Sequence, residues 1–137
     1  MAGVRQARAE ETRQRVVATA RRLFAEQGYF ETGTTEIVEA AGVGTRGALY
    51  HHFDNKQALF LAVFEEIEVD LRAKFGNTVT GNTWLERLEQ ALAGFLDASL
   101  QSEVRRVLLI DGPAVLGWDV WREIEARYGL GSPSTCR

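Results

Sequence analysis

The sequence predicts an all-α protein: an N-terminal three-helix helix-turn-helix head joined by a long fourth helix to a second helical domain. Three observations predict it. Residues 32–53 read as two short helices hinged by a glycine turn, which is the layout of a helix-turn-helix. Ahead of them, Val16, Val17, Ala20, Leu23, Phe24 and Gln27 recur at three- and four-residue spacing, with Arg and Glu on the opposite face; this is the pattern of an amphipathic helix. Behind them, Asp54 with Gln57 and Thr83 with Glu86 match the capping box that opens a helix.

Taken in order, the first helix runs from about Glu10 to Gln27 and stops at Gly28, a C-cap residue. A loop from Tyr29 to Thr32 leads to the short pair, where Thr32 or Thr34 can cap the first member and Thr45 the second. The fourth helix opens on Asp54 and Gln57 and continues to about Phe75, with Leu59, Phe60, Val63, Phe64, Ile67 and Leu71 on its apolar face. Residues 76–82 are a linker by composition, after which Thr83 starts a helix to about Leu100 and Ser102 caps another to about Ile110. Asp111-Gly112-Pro113 should break or kink the chain, and Val115 to Tyr128 resumes a helical pattern. The domains expected are a head at 1–53, a helical regulatory domain at 54–131 and a disordered tail at 132–137.

The 137 residues suffice for one domain or for two small helical subdomains, and 45% hydrophobic content is ordinary for a globular chain. The single cysteine, Cys136, rules out an internal disulfide and a multi-cysteine metal site, so an intracellular, cytoplasmic protein is expected. No secretory leader is visible, nor the run of about 18 apolar residues that a membrane span requires. The net charge of −3 is unevenly spread. Residues 1–22 hold six arginines against two glutamates, whereas residues 61–137 hold eight basic and twelve acidic groups. The front of the chain is therefore the part suited to phosphate.

Enzyme chemistry finds no support in the residue pattern. There is no nucleophile with a base and orienter, no phosphate-cradling glycine loop after a strand and no metal-ligand spacing, so no catalytic residue, metal or cofactor is expected. The adjacent His51 and His52 point about 100° apart on a helix and have no cysteine or carboxylate cluster beside them. The second half of the helix-turn-helix instead presents Thr45, Arg46, Tyr50 and the histidines opposite Leu49 and Phe53. A helix with that outward chemistry can meet DNA.

Read in order, Phe24, Gly28-Tyr29, Ile37, Ala41-Gly42-Val43, Gly47-Ala48-Leu49-Tyr50-His51-His52-Phe53, Lys56 and Leu59-Phe60 resemble a TetR-family transcriptional regulator. The resemblance is continuous from about Arg13 to Val63, and Leu109 to Trp118 with Tyr128 to Gly131 is similar to ligand-domain helices of one branch. It implies a homodimeric, ligand-responsive repressor that binds a palindromic operator and releases it when a small molecule moves the two heads apart. A two-fold dimer of this kind must set its recognition helices about 34 to 36 Å apart.

Carried over by residue, the resemblance puts Thr45, Arg46, Gly47 and Ala48 at the start of the recognition helix, beside base edges. Arg46 can donate two bonds to guanine O6 and N7, or pair with phosphate or lie in solvent. Tyr50 and His51 match backbone-contacting positions, and His52 reaches a phosphate or a base. Thr34 and Thr35 offer hydroxyls and amides to phosphate, or act as caps. Lys56 falls in the first turn of a helix, where a cation opposes the dipole; a nearby phosphate would account for it. Arg5 and Arg8 precede the first helix, either as a DNA-contacting arm or as a disordered leader. Trp84, Leu88, Leu92, Phe95, Leu108, Trp118 and Trp121 either line a pocket for a small apolar or aromatic effector or form core.

Two features depart from the family pattern. The turn Gly42 to Gly47 is one residue longer than the commonest spacing, and the family-like sequence stops at Gly131, two long helices short of the usual four-helix dimer bundle. The expectation is a shortened regulator without its principal dimer interface, leaving apolar patches around Trp84, Phe95, Trp118 and Trp121. The competing readings are an all-helical interaction or ligand-carrier module and a truncated regulator without specific DNA binding.

Overall fold

Helix α1 (Ala2–Gln27) begins well before its apolar stripe. The structure, a computed structural model, describes residues 2–75 and 79–128. Arg5 and Arg8 lie on α1 rather than in a leader ahead of it. The cause is local, since residues 2–12 are mostly Ala, Arg, Gln and Glu and contain no proline. From Val16 onward the helix buries Val16, Val17, Ala20, Leu23 and Phe24. Gly28 then caps it, its N–H donating to the Phe24 carbonyl at 2.9 Å.

Helices α2 (Thr34–Ala41) and α3 (Arg46–His52) and the start of α4 (Lys56–Phe75) complete a compact unit spanning residues 1–63. Its core draws on all four helices: Ile37, Val38 and Ala41 from α2, Leu49 from α3, and Leu59, Phe60 and Val63 from α4 join the α1 stripe. Because those three α4 side chains are buried, the unit closes at Val63, inside α4 and ten residues beyond the end of the three-helix head at Phe53. Phe24 and Phe60 meet in a tilted pair, 5.6 Å between ring centroids.

The α4 cap differs from the sequence-based expectation. Asn55, not Asp54, supplies it: its Oδ1 accepts the Ala58 N–H at 2.7 Å, and its carbonyl accepts the first helical bond, from Leu59. Asp54 is one residue too early to meet those amides. The N-cap of α2 is Gly33, without a side-chain bond. Thr32 is buried instead, its hydroxyl donating to the Gly28 carbonyl at 2.7 Å and accepting from Gln27 Nε2 at 3.1 Å.

The described residues from Phe64 onward form the second unit. Helix α5 (Trp84–Ser99) opens on the capping box read from the sequence: Thr83 Oγ1 accepts the Glu86 N–H at 3.1 Å, and Glu86 Oε1 accepts the Thr83 N–H at 3.3 Å. The next segment, Val104–Asp111, is a π-helix rather than an α-helix, and Glu103 at its N-cap makes no side-chain cap bond. It runs directly into α6 (Gly112–Leu116), so Asp111-Gly112-Pro113 does not break the chain. Proline is tolerated there because it lies in the first turn of α6 and the carbonyl that its missing N–H would meet takes a side-chain donor instead. The break falls at Gly117, φ 90°, before α7 (Trp118–Tyr128).

Proline leaves its mark on the π-helix. The i to i+5 register would next pair the Leu108 carbonyl with the N–H of residue 113, and Pro113 has none. The Trp121 indole fills the gap, donating to the Leu108 carbonyl at 2.8 Å. Gly112 sits under the same ring: a Cβ there would lie 2.7 Å from Phe64 and 2.9 Å from Trp121. Every regular element among the described residues is helical. The proposed tail at 132–137 and linker residues 76–78 lie outside the described residues.

Candidate nucleic-acid interface

The turn between α2 and α3 is built by two glycines. Gly42 adopts the left-handed conformation at φ 69° and donates to the carbonyls of Val38 and Glu39, closing α2; Gly44 follows at φ 95°. Such angles strain any residue with a Cβ. The chain then extends at Thr45, whose Oγ1 accepts the Ala48 N–H at 3.3 Å and so caps α3 as its sequence position predicts. The long turn is thus absorbed by Gly44, and Arg46 becomes the first residue of α3.

Leu49, fully buried, and Phe53, at the C-cap, pin α3 to the core. That anchoring turns the other face outward: Thr45, Arg46, Gly47, Tyr50 and His51 are exposed, and Ala48 and His52 are half-buried. Thr35 is exposed and Thr34 half-buried in the first turn of α2. The Arg46 guanidinium carbon lies 5.9 Å from the Tyr50 ring centroid, one turn further along. His51 and His52 meet edge-on at 5.0 Å. Burial, with the charges of His51 and Arg13 behind it, holds the His52 imidazole below its ordinary pKa, against a smaller opposing effect of Glu10.

Lys56 has a different setting. Its ammonium donates to the Tyr29 carbonyl at 2.7 Å and lies 4.1 Å from the centroid of the Tyr29 ring. Sequence reasoning also missed Arg13, whose guanidinium covers the Phe53 ring at 5.1 Å; the two lie forty positions apart and leave no local signal.

In the second unit the residues proposed to line a pocket divide. Trp84, Leu88, Leu92 and Phe95 are exposed along α5, whereas Leu108 is buried. Trp118 and Trp121 stack with 5.0 Å between centroids. The structure therefore brings Leu108, Trp118 and Trp121 together and leaves the α5 residues on an open face. An acidic pair, buried Glu68 on α4 and half-buried Glu125 on α7, had no place in the sequence reading. Burial, with the neighbouring Glu125 charge behind it, pushes Glu68 up to about 8, and Glu125 Oε2 is itself buried without a hydrogen-bond partner. Burial likewise raises Glu125. The signal was Glu68 itself, set within the apolar arc of Phe64, Ile67 and Leu71. Among the described residues, no helix is long and apolar enough to cross a membrane.

With this geometry in place, the chain can be set against known proteins. Residues 16–63 match the family of bacterial regulatory proteins, tetR family, and residues 85–135 match a tetracyclin repressor-like C-terminal domain. The chain belongs to the TetR family of transcriptional regulators. It is 39% identical over 108 residues to the HTH-type transcriptional regulator AcrR of Shigella flexneri, covering 74% of this chain and 47% of AcrR. It thus spans about half the length of that curated relative. A crystal structure of a TetR-family transcriptional regulator from Pectobacterium atrosepticum superposes with a TM-score of 0.69 at 38% identity, covering 81% of this chain and 57% of that one. A γ-butyrolactone receptor, an ArpA-like protein, gives a TM-score of 0.56 at 30% identity, over 93% of this chain and 68% of the receptor.

Proposed function

We propose that this chain reads duplex DNA by laying the exposed face of α3 in the major groove, as part of a ligand-responsive transcriptional repressor. The observation that carries this reading is the face itself. Thr45, Arg46, Gly47, Tyr50 and His51 are exposed on a capped helix whose Leu49 is fully buried. Arg46 meets a base edge, Gly47 and Ala48 allow close approach, and Tyr50, His51 and His52 meet backbone phosphate. Thr34 and Thr35 offer hydroxyls and free amides at the start of α2. In this reading the head is 1–53 and residues 54–131 serve regulation, with 132–137 as a tail.

The full regulator acts in the cytoplasm as a homodimer on a palindromic site and is released by a small apolar or aromatic effector. The effector shifts the population toward a spacing of the heads that no longer fits successive grooves. Membership of a family of DNA-binding regulators supports this, as does the aromatic and leucine content of the second unit. Titrating a labelled mixed-sequence duplex at several salt concentrations tests the reading. Counterion release makes log affinity fall linearly with log salt, by about 0.9 for each phosphate contact. Binding that ignores salt would remove the interface from α3.

A further inference from the structure

We propose that Lys56 is a positioning residue for DNA binding: through its contacts to Tyr29 it fixes the loop from which α2 starts. The proposal rests on the DNA-reading role above and assigns Lys56 a part within it.

A cation in the first turn of a helix faces the positive end of the dipole and needs a compensating acceptor. The structure supplies one from inside the protein. The Lys56 ammonium reaches the Tyr29 carbonyl at 2.7 Å and the face of the Tyr29 ring at 4.1 Å. A charge-assisted hydrogen bond and a cation–π contact thus converge on one residue. Phe60, one turn along α4 from Lys56, meets the same ring edge-on at 5.1 Å, and Phe24 of α1 approaches it at 5.5 Å. Tyr29 is thereby gripped by α1 on one side and by two successive turns of α4 on the other.

What this grip holds is the approach to the DNA-facing helices. The Tyr29 carbonyl that receives Lys56 also accepts the Thr32 N–H at 3.2 Å. Thr32 is buried and bonded back to Gly28, and the next residue, Gly33, caps α2 and accepts the Ile37 N–H at 3.1 Å. Loosening Lys56 frees the turn at Tyr29, and with it the first turn of α2, where Thr34 and Thr35 stand. Lys56 in this way ties the first turn of α4 to the loop that leads into α2.

The test compares Lys56→Met and Lys56→Arg with the parent chain. Without DNA, amide exchange at Thr32 and Ile37 should accelerate about tenfold in Lys56→Met, the loss expected for one charge-assisted bond. Protection of Val16 to Phe24 should stay at the parent level, and Lys56→Arg should restore most of the slow exchange. Unchanged exchange at Thr32 and Ile37 overturns the proposal, as does an equal loss throughout α1, which would make Lys56 a general stability residue. On a mixed-sequence duplex, Lys56→Met should bind about tenfold more weakly. A slope shallower by about 0.9 together with unchanged exchange would make Lys56 a phosphate contact alone and overturn the proposal. If the parent shows no salt-dependent binding, the DNA-reading role fails, and the exchange result still decides whether Lys56 sets the loop.

Discussion

Arg46 lies over the ring of Tyr50, one turn further along α3, with its guanidinium carbon 5.9 Å from the ring centroid. The base-reading candidate and a phosphate-contacting candidate therefore restrain each other. Replacing Arg46 by Ala should cost about 1 to 3 kcal/mol of discrimination at one base pair, read as a relaxed preference in competition binding. Tyr50→Phe keeps the stack and loses only the hydroxyl, so it should weaken binding evenly across sequences. Tyr50→Ala should do both. Equal effects of the two Tyr50 variants would mean that the stack does not orient Arg46.

Helix α3, the proposed reading element, is short and relies on its cap. Thr45→Ala removes the acceptor of the Ala48 N–H and should lower stability by about 1 kcal/mol in denaturant unfolding, whereas Thr45→Ser should not. A Thr45→Ala chain as stable as the parent would show that the cap bond is too weak to count.

Trp121 and Gly112 form the tight point of the second unit. Trp121→Phe leaves the Leu108 carbonyl without the donor that Pro113 cannot supply, at a cost of about 1 to 3 kcal/mol. Gly112→Ala forces a Cβ to within 2.7 Å of Phe64 and should cost about 1 to 3 kcal/mol through overpacking. Thermal melts of the two variants check both figures. Because the two sites touch the same ring, the double variant should cost less than the sum.

The Glu68–Glu125 pair makes stability depend on pH. Glu68 titrates near 8 in the folded chain against an ordinary 4.5, so the folded state holds a proton that the unfolded state releases. Stability should be highest below about 4.5 as far as this pair is concerned and should decline as pH rises toward 8. Glu68→Gln should flatten that decline by removing the titrating carboxyl. A parent chain whose melting temperature rises between those limits, with Glu68→Gln rising in parallel, would exclude a protonated Glu68 in the folded chain.

Periodicity and local chemistry made most of the fold legible. The α1 stripe, the Thr45 cap and the Thr83–Glu86 box are interactions within a few residues, and each is where its spacing put it. The α4 start was misplaced by the choice between adjacent capping residues, Asp54 and Asn55, a choice fixed by the turn rather than by residue type. The π-helix at Val104–Asp111 and the passage through Pro113 were hidden because they depend on an indole thirteen residues away. The same holds in the interface. The outward face of α3 followed from Leu49 and Phe53, but the Lys56–Tyr29 and Arg13–Phe53 contacts join residues far apart in sequence and left no pattern to read.

The central claim is that α3 reads base sequence, and selection from a pool of randomised duplexes tests it most directly. The chain should enrich one shared motif, and Arg46→Ala should enrich the same motif with one position degenerate. Recovery of unrelated sequences by the parent, at a salt concentration where it still binds, would contradict sequence reading by this helix.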